Sequence, residues 1–125
     1  MKKIMVVDDN ADIILAVKAA LEEYDPTIKI IAASNGKQCL GKLKQEIPDL
    51  ILLDIMMPEM DGWDVVEKIH ENKDLKKIPI IFLTAKGDKL TKTFASVSVE
   101  DYIVKPVSKD VLINRIEKTL ETKNN

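Results

Sequence analysis

The 125-residue sequence is short of cysteine, histidine, aromatic residues and any excess of positive charge, and each shortage removes a class of protein. The single Cys39 has no internal partner, so a disulfide-stapled secreted domain is excluded and a reducing, cytoplasmic setting is expected. Lys plus Arg number 19 against 21 for Asp plus Glu, a net charge of -2, which argues against direct nucleic-acid binding. No apolar run approaches the roughly 18 residues of a membrane span. The opening Lys2-Lys3-Ile4-Met5-Val6-Val7 is cut off at Asp8-Asp9, too soon for a signal peptide. No Gly/Ser linker, repeat or low-complexity tract divides the chain, so one domain over residues 1–125 is expected.

What is present is a series of short apolar runs, each ending in charge or in a turn. Leu50-Ile51-Leu52-Leu53 runs straight into Asp54, and Pro58, Asp61 and Gly62 follow. A run apolar on both faces reads as a strand buried on both sides, the habit of parallel sheets covered by helices. Residues 3–7, 29–33, 79–83 and 102–104 give four more such runs. Between them lie helical stripes. Asn10 caps the first, which carries Ile13, Ile14, Val17, Ala20, Leu21 and Tyr24 until Asp25-Pro26. The second, about 37–46, buries Leu40, Leu43 and Ile47 before Pro48; the third starts at Asp61-Gly62 and carries Val65, Val66 and Ile69. Leu90, Phe94 and Val97 suggest a fourth, and Ser108 caps a last one through Val111, Leu112, Ile116 and Leu120. Five strands alternating with five helices indicate an α/β doubly wound parallel sheet. In a chain this short, the flavodoxin-like (βα)5 order 2-1-3-4-5 is expected.

That order brings the carboxyl ends of all strands to one edge, and the residues there are charged or hydroxylic: Asp8 and Asp9, then Asp54, Thr84 and Lys105. Strands 1 and 3 are neighbours, so three carboxylates meet in one crevice. Three anions so close call for a neutralising partner, and oxygen ligands suit Mg²⁺ or Mn²⁺. Lys105 is a point charge suited to a phosphate, and Thr84 a hydroxyl donor. An oxygen nucleophile, a metal and an opposing cation are the parts of phosphoryl transfer, with Asp54 at the centre as nucleophile. Taken singly, each residue is better explained as a cap or a turn; taken together in this order they are not.

The motifs Val6-Val7-Asp8-Asp9-Asn10, Leu52 to Gly62, Leu83-Thr84-Ala85 and Asp101-Tyr102-Ile103-Val104-Lys105-Pro106 resemble the receiver domain of two-component response regulators over essentially the whole chain. The resemblance implies a chemotaxis-regulator-like switch in which Asp54 accepts a phosphoryl group from a sensor histidine kinase or a phosphotransfer protein. It implies that Asp9, Asp54 and the Met56 backbone carbonyl hold the metal, with Asp8 acting through water. Lys105 pairs with the phosphoryl group, Thr84 swings to it, and Tyr102 turns inward behind Thr84. The surface of the fourth helix, fifth strand and last helix then changes to control a downstream protein, and it is also where a homodimer would form. Met56 and Lys86 flank the entrance to the acyl phosphate and tune its lifetime, and the Lys105–Pro106 bond is expected to be cis. Such a domain is a phosphoacceptor with limited autophosphorylation and autodephosphorylation, not an enzyme in its own right.

Two features depart from the family pattern. Ser98-Val99 stand where a Gly-containing pair is common, which leaves the end of the fourth helix uncertain in form, and Val107 replaces a frequent aromatic. His70 and Cys39 carry no expected chemistry: the first reads as a solvent-facing helix residue, the second as a small core residue. Two rival functions remain open. A metal-dependent aspartyl-phosphate phosphatase or phosphotransferase would place its nucleophile on the first strand, and a phosphate-independent interaction module would not need this set of charged groups.

Overall fold

The computed structural model describes residues 2–85 and 99–124. Its strands are β1 (Lys3–Val7), β2 (Lys29–Ala33), β3 (Leu50–Asp54), β4 (Ile80–Thr84) and β5 (Asp101–Val104). Its helices are α1 (Ala11–Tyr24), α2 (Gly36–Leu43), α3 (Gly62–His70) and α4 (Lys109–Asn124). All strand pairs are parallel and the order is β2-β1-β3-β4-β5, as the alternation of runs and stripes predicts.

Period-two alternation in the strands splits the core into two layers. Met5 and Val7 of β1, Ile51 and Leu53 of β3, and Ile80 and Phe82 of β4 face α2 and α3, where Cys39, Leu43, Val65 and Ile69 meet them. Ile4, Val6, Leu50, Leu52, Ile81 and Leu83 point the other way, onto Val17 and Leu21 of α1 and Leu112 and Ile116 of α4. Every side chain of β3 and β4 is buried. Each large aliphatic among them contributes roughly 2 kcal/mol, so the central strands are held hardest where the charged edge begins.

The helix starts follow local chemistry. The Asn10 side chain accepts from the Asp12 amide, Asn35 from the Gln38 amide, and Ser108 Oγ from the Val111 amide. Asp61 and Asp64 form a reciprocal capping box at α3.

Three expectations need correction. The second helix ends at Leu43 rather than near Glu46, because the amides of Lys44 and Gln45 turn to the carbonyls three residues back. Ile47 is then half exposed instead of buried. Tyr24 is also exposed, its hydroxyl donating to Glu117 of α4 at 2.6 Å. His70 is half-buried rather than solvent-facing. The predicted fourth helix, Lys86 and Ser98 lie outside the described residues, while Val99 packs against the α2–α3 layer.

Candidate functional site

Registers fix which groups meet. Val7 pairs with Leu53, Asp54 with Leu83 and Thr84 with Val104, so β1, β3, β4 and β5 end at nearly one level. The main chain keeps this order slightly past the strands. The Asp8 amide donates to Ala33 (3.1 Å), Ile55 to Leu83 (3.2 Å) and Lys105 to Thr84 (2.7 Å).

The three carboxylates Asp8, Asp9 and Asp54 offer oxygens that all lie within 4.8 Å of one another. Asp8 and Asp54 are buried and Asp9 is exposed, which leaves the cluster open on the Asp9 side. Asp8 is anchored by the Asn10 amide, which donates to its Oδ1 at 2.9 Å. Lys105 reaches into the cluster from the β5 end, its Nζ 2.9 Å from Asp8 Oδ2 and 3.2 Å from Asp54 Oδ1. Both contacts are ion pairs, and the one to Asp54 is also a hydrogen bond. Asp8 Oδ2 is fully buried, and the Lys105 ammonium is its close polar neighbour among the described residues. A carboxylate oxygen can accept more than one bond, so acceptor capacity remains beside the Lys105 contact.

Electrostatics follow from this packing. Burial, and then the negative charge of Asp8, push the Asp54 carboxyl up to about 6, against the pull of Lys105. Burial works against the charge of Lys105, but Asp8 and Asp54 outweigh it and hold the ammonium above the ordinary lysine value. One cation thus serves two anions, and a third anion stands beside them. An all-oxygen donor set of three clustered carboxylates, two of them sharing one lysine, fits a hard divalent cation such as Mg²⁺ or Mn²⁺.

The other expected site residues stand around this core. Thr84 ends β4, is buried, and its hydroxyl donates to the Ala85 carbonyl at 3.1 Å. Met56 follows β3 by two residues with its side chain exposed. The Tyr102 side chain is exposed on β5, and its backbone carbonyl accepts from Arg115 at 2.9 Å. The Lys105–Pro106 peptide bond is cis.

Sequence reasoning missed how the loop after β3 is held. Gly62 donates to the Ile55 carbonyl at 2.7 Å, and a Cβ on it would meet the Asp54 carbonyl oxygen at 2.7 Å and Ile55 Cα at 2.8 Å. Only glycine lets α3 start this close to the Asp54 main chain. Glu59, at φ 67°, occupies the left-handed region at the tip of the same loop. The Asp-x-x-Asp spacing of the capping box was visible; the close approach was not.

Comparison with known proteins gives one consistent answer. The family model for the response regulator receiver domain matches residues 4–117. A probable transcriptional regulator, ycf27, of Guillardia theta is 38% identical over 98% of this chain and 47% of its own length. The alkaline phosphatase synthesis transcriptional regulatory protein PhoP of Bacillus subtilis is 39% identical over 86% of this chain and 43% of its own. The chain thus spans about half the length of the curated relatives it matches. Among solved structures, a CheY-like response regulator receiver domain protein from Methanospirillum hungatei is 39% identical, covers 98% of this chain and 94% of its own, and superposes with a TM-score of 0.80. The receiver domain of a signal transduction histidine kinase from Syntrophus aciditrophicus is 29% identical with a TM-score of 0.86, over 98% and 92% of the two chains.

Proposed function

Since this chain belongs to the response regulator receiver family, we propose that it is a phosphorylation-dependent switch whose phosphoacceptor is Asp54. The observation that carries the reading is the placement of Asp54: buried at the end of a central strand, hydrogen-bonded to a lysine, and grouped with two further carboxylates. The donor is a phosphohistidine on a sensor kinase or phosphotransfer protein. An Asp54 carboxylate oxygen attacks phosphorus, the P–N bond breaks, and its electron pair returns to the imidazole, which takes a proton from water. The product is an aspartyl phosphate.

Each neighbour has a part in this step. The Lys105 ammonium, already tethered to Asp8, faces the developing charge on the phosphoryl oxygens. Asp8, Asp9, Asp54 and the Met56 carbonyl would hold a divalent cation, which when bound neutralises carboxylate and phosphoryl charge together. The Thr84 hydroxyl exchanges its bond to Ala85 for one to a phosphoryl oxygen, and the exposed Tyr102 ring moves inward behind it. A new dianion at a buried site is a large enough local charge to bias a two-state element in this way. Met56 and Lys86 control water access and so the lifetime of the acyl phosphate. The changed β5–α4 surface acts on a downstream protein or on a second copy, and the setting is cytoplasmic.

Incubation with acetyl phosphate and Mg²⁺ followed by intact-mass measurement tests the proposal. One added phosphoryl group, absent in Asp54→Asn and absent with a chelator, is the expected result. No adduct in the native chain under any condition would instead indicate a phosphate-independent module. Steady turnover of small phosphate esters would indicate a phosphatase.

A further inference from the structure

Among the described residues, the sheet has an open edge at β2, on the far side from the α4–β5 surface. In the β1–β2 pairing, the Lys29 amide donates to the Lys2 carbonyl and the Asp8 amide to the Ala33 carbonyl. Residues 29, 31 and 33 therefore turn their main-chain groups toward β1, and Ile30 and Ala32 turn theirs outward. The Ala32 carbonyl accepts from the Lys42 ammonium of α2. The Ile30 amide, the Ile30 carbonyl and the Ala32 amide have no partner among the described residues. A trough of about 270 Å³ runs along this edge between β2 and the end of α2.

The charges around the trough are uneven. Lys29 and Lys3 share one anion, Glu46, at 2.9 and 3.2 Å, and Lys42 stands beside them on Ala32. Among the residues that line the trough, two lysines, Lys29 and Lys42, stand against one carboxylate, Glu46, which leaves it with a surplus of positive charge. The chain as a whole is slightly negative, so this is a local feature.

We propose that the β2 edge is a docking site for an acidic extended segment of a partner protein, which adds as a sixth strand along Ile30 and Ala32. Main-chain hydrogen bonds to the outward groups supply register, and alternate acidic side chains meet Lys29 and Lys42. Docking releases Lys42 from the Ala32 carbonyl to a carboxylate of the incoming strand. A second copy of this chain is the wrong occupant, because two such edges bring two lysine clusters together, and lysine on an edge opposes self-pairing. The site is separate from the Asp54 crevice and does not rest on phosphoryl chemistry.

The test uses ¹⁵N-labelled protein and two capped seven-residue peptides, one alternating Glu with Val and one alternating Lys with Val. Expected are amide shifts and slowed hydrogen exchange at Ile30 and Ala32 with the acidic peptide only. Lys42→Glu should weaken that binding at least tenfold while phosphoryl uptake from acetyl phosphate stays unchanged. The proposal is overturned if millimolar acidic peptide leaves these amides unmoved, if the shifts fall at Asp8 and Asp54 instead, or if both peptides bind equally. It is also overturned if the free protein sediments as a dimer that protects the same two amides.

Discussion

Asp54 is held in a state that costs the fold something. Its carboxyl is pushed up to about 6 from the ordinary 3.8, because burial and Asp8 disfavour the ion more than Lys105 favours it. A carboxyl raised in the folded state binds its proton more tightly there than in the unfolded chain. Stability from this group is then full below about pH 4 and lost as pH rises through about 6. Two units correspond to about 2–3 kcal/mol. Asp54→Asn is therefore expected to be more stable than the native chain at pH 7.5 without divalent cations, with the gap closing near pH 4. Urea unfolding at the two pH values measures this, and an equal gap at both would refute it. Not every titratable side chain carries such tension. Burial pushes the Cys39 thiol up to about 12, where it is an inert core residue against Met5.

At the level of elements, two glycines give opposite expectations. A methyl on Gly62 would strike main-chain atoms of Asp54 and Ile55, which cannot move aside without shifting the loop after β3. Gly62→Ala should cost about 2–4 kcal/mol and depress phosphoryl uptake as well. Gly41 lies in α2 with nothing within 4 Å of a Cβ, so Gly41→Ala should stabilise by about 0.5–1 kcal/mol through helix propensity alone. Denaturant midpoints of the two variants check the pair of signs. Comparable destabilisation of both would contradict it.

These elements also show what a sequence reveals and what it hides. The five strands are plain because parallel strands are apolar on both faces, and the candidate site residues are plain because each interrupts such a run at the same end. Asp8, Asp54, Thr84 and Lys105 were legible for that reason. The end of α2 was not: Ile47 continues the helical stripe, and only the tightened turn at Lys44 and Gln45 removes it from the core. Nor does spacing alone disclose that Lys105 spans two carboxylates, or that Gly62 abuts the strand. Those depend on distances between segments far apart in the chain.

For the molecule as a whole, an excess of anions at one edge links ion binding to folding. A cation that binds the folded crevice and not the unfolded chain adds stability as its concentration exceeds its dissociation constant, by about 2.7 kcal/mol at a hundredfold excess. The melting temperature is expected to climb with Mg²⁺ concentration and to climb far less in Asp9→Asn, which removes the exposed member of the cluster. Differential scanning fluorimetry across a Mg²⁺ series reads both. Identical Mg²⁺ responses in the two proteins would place the ion elsewhere.

Trp63, the sole tryptophan, packs edge-on against Phe82 at a ring separation of 4.8 Å and with planes inclined by 75°. Phe82 also borders Gly62, the residue that touches the Asp54 main chain. Any event that displaces the start of α3 therefore alters the surroundings of one indole. The chain carries its own optical gauge, seated one residue beyond the glycine that abuts the Asp54 main chain.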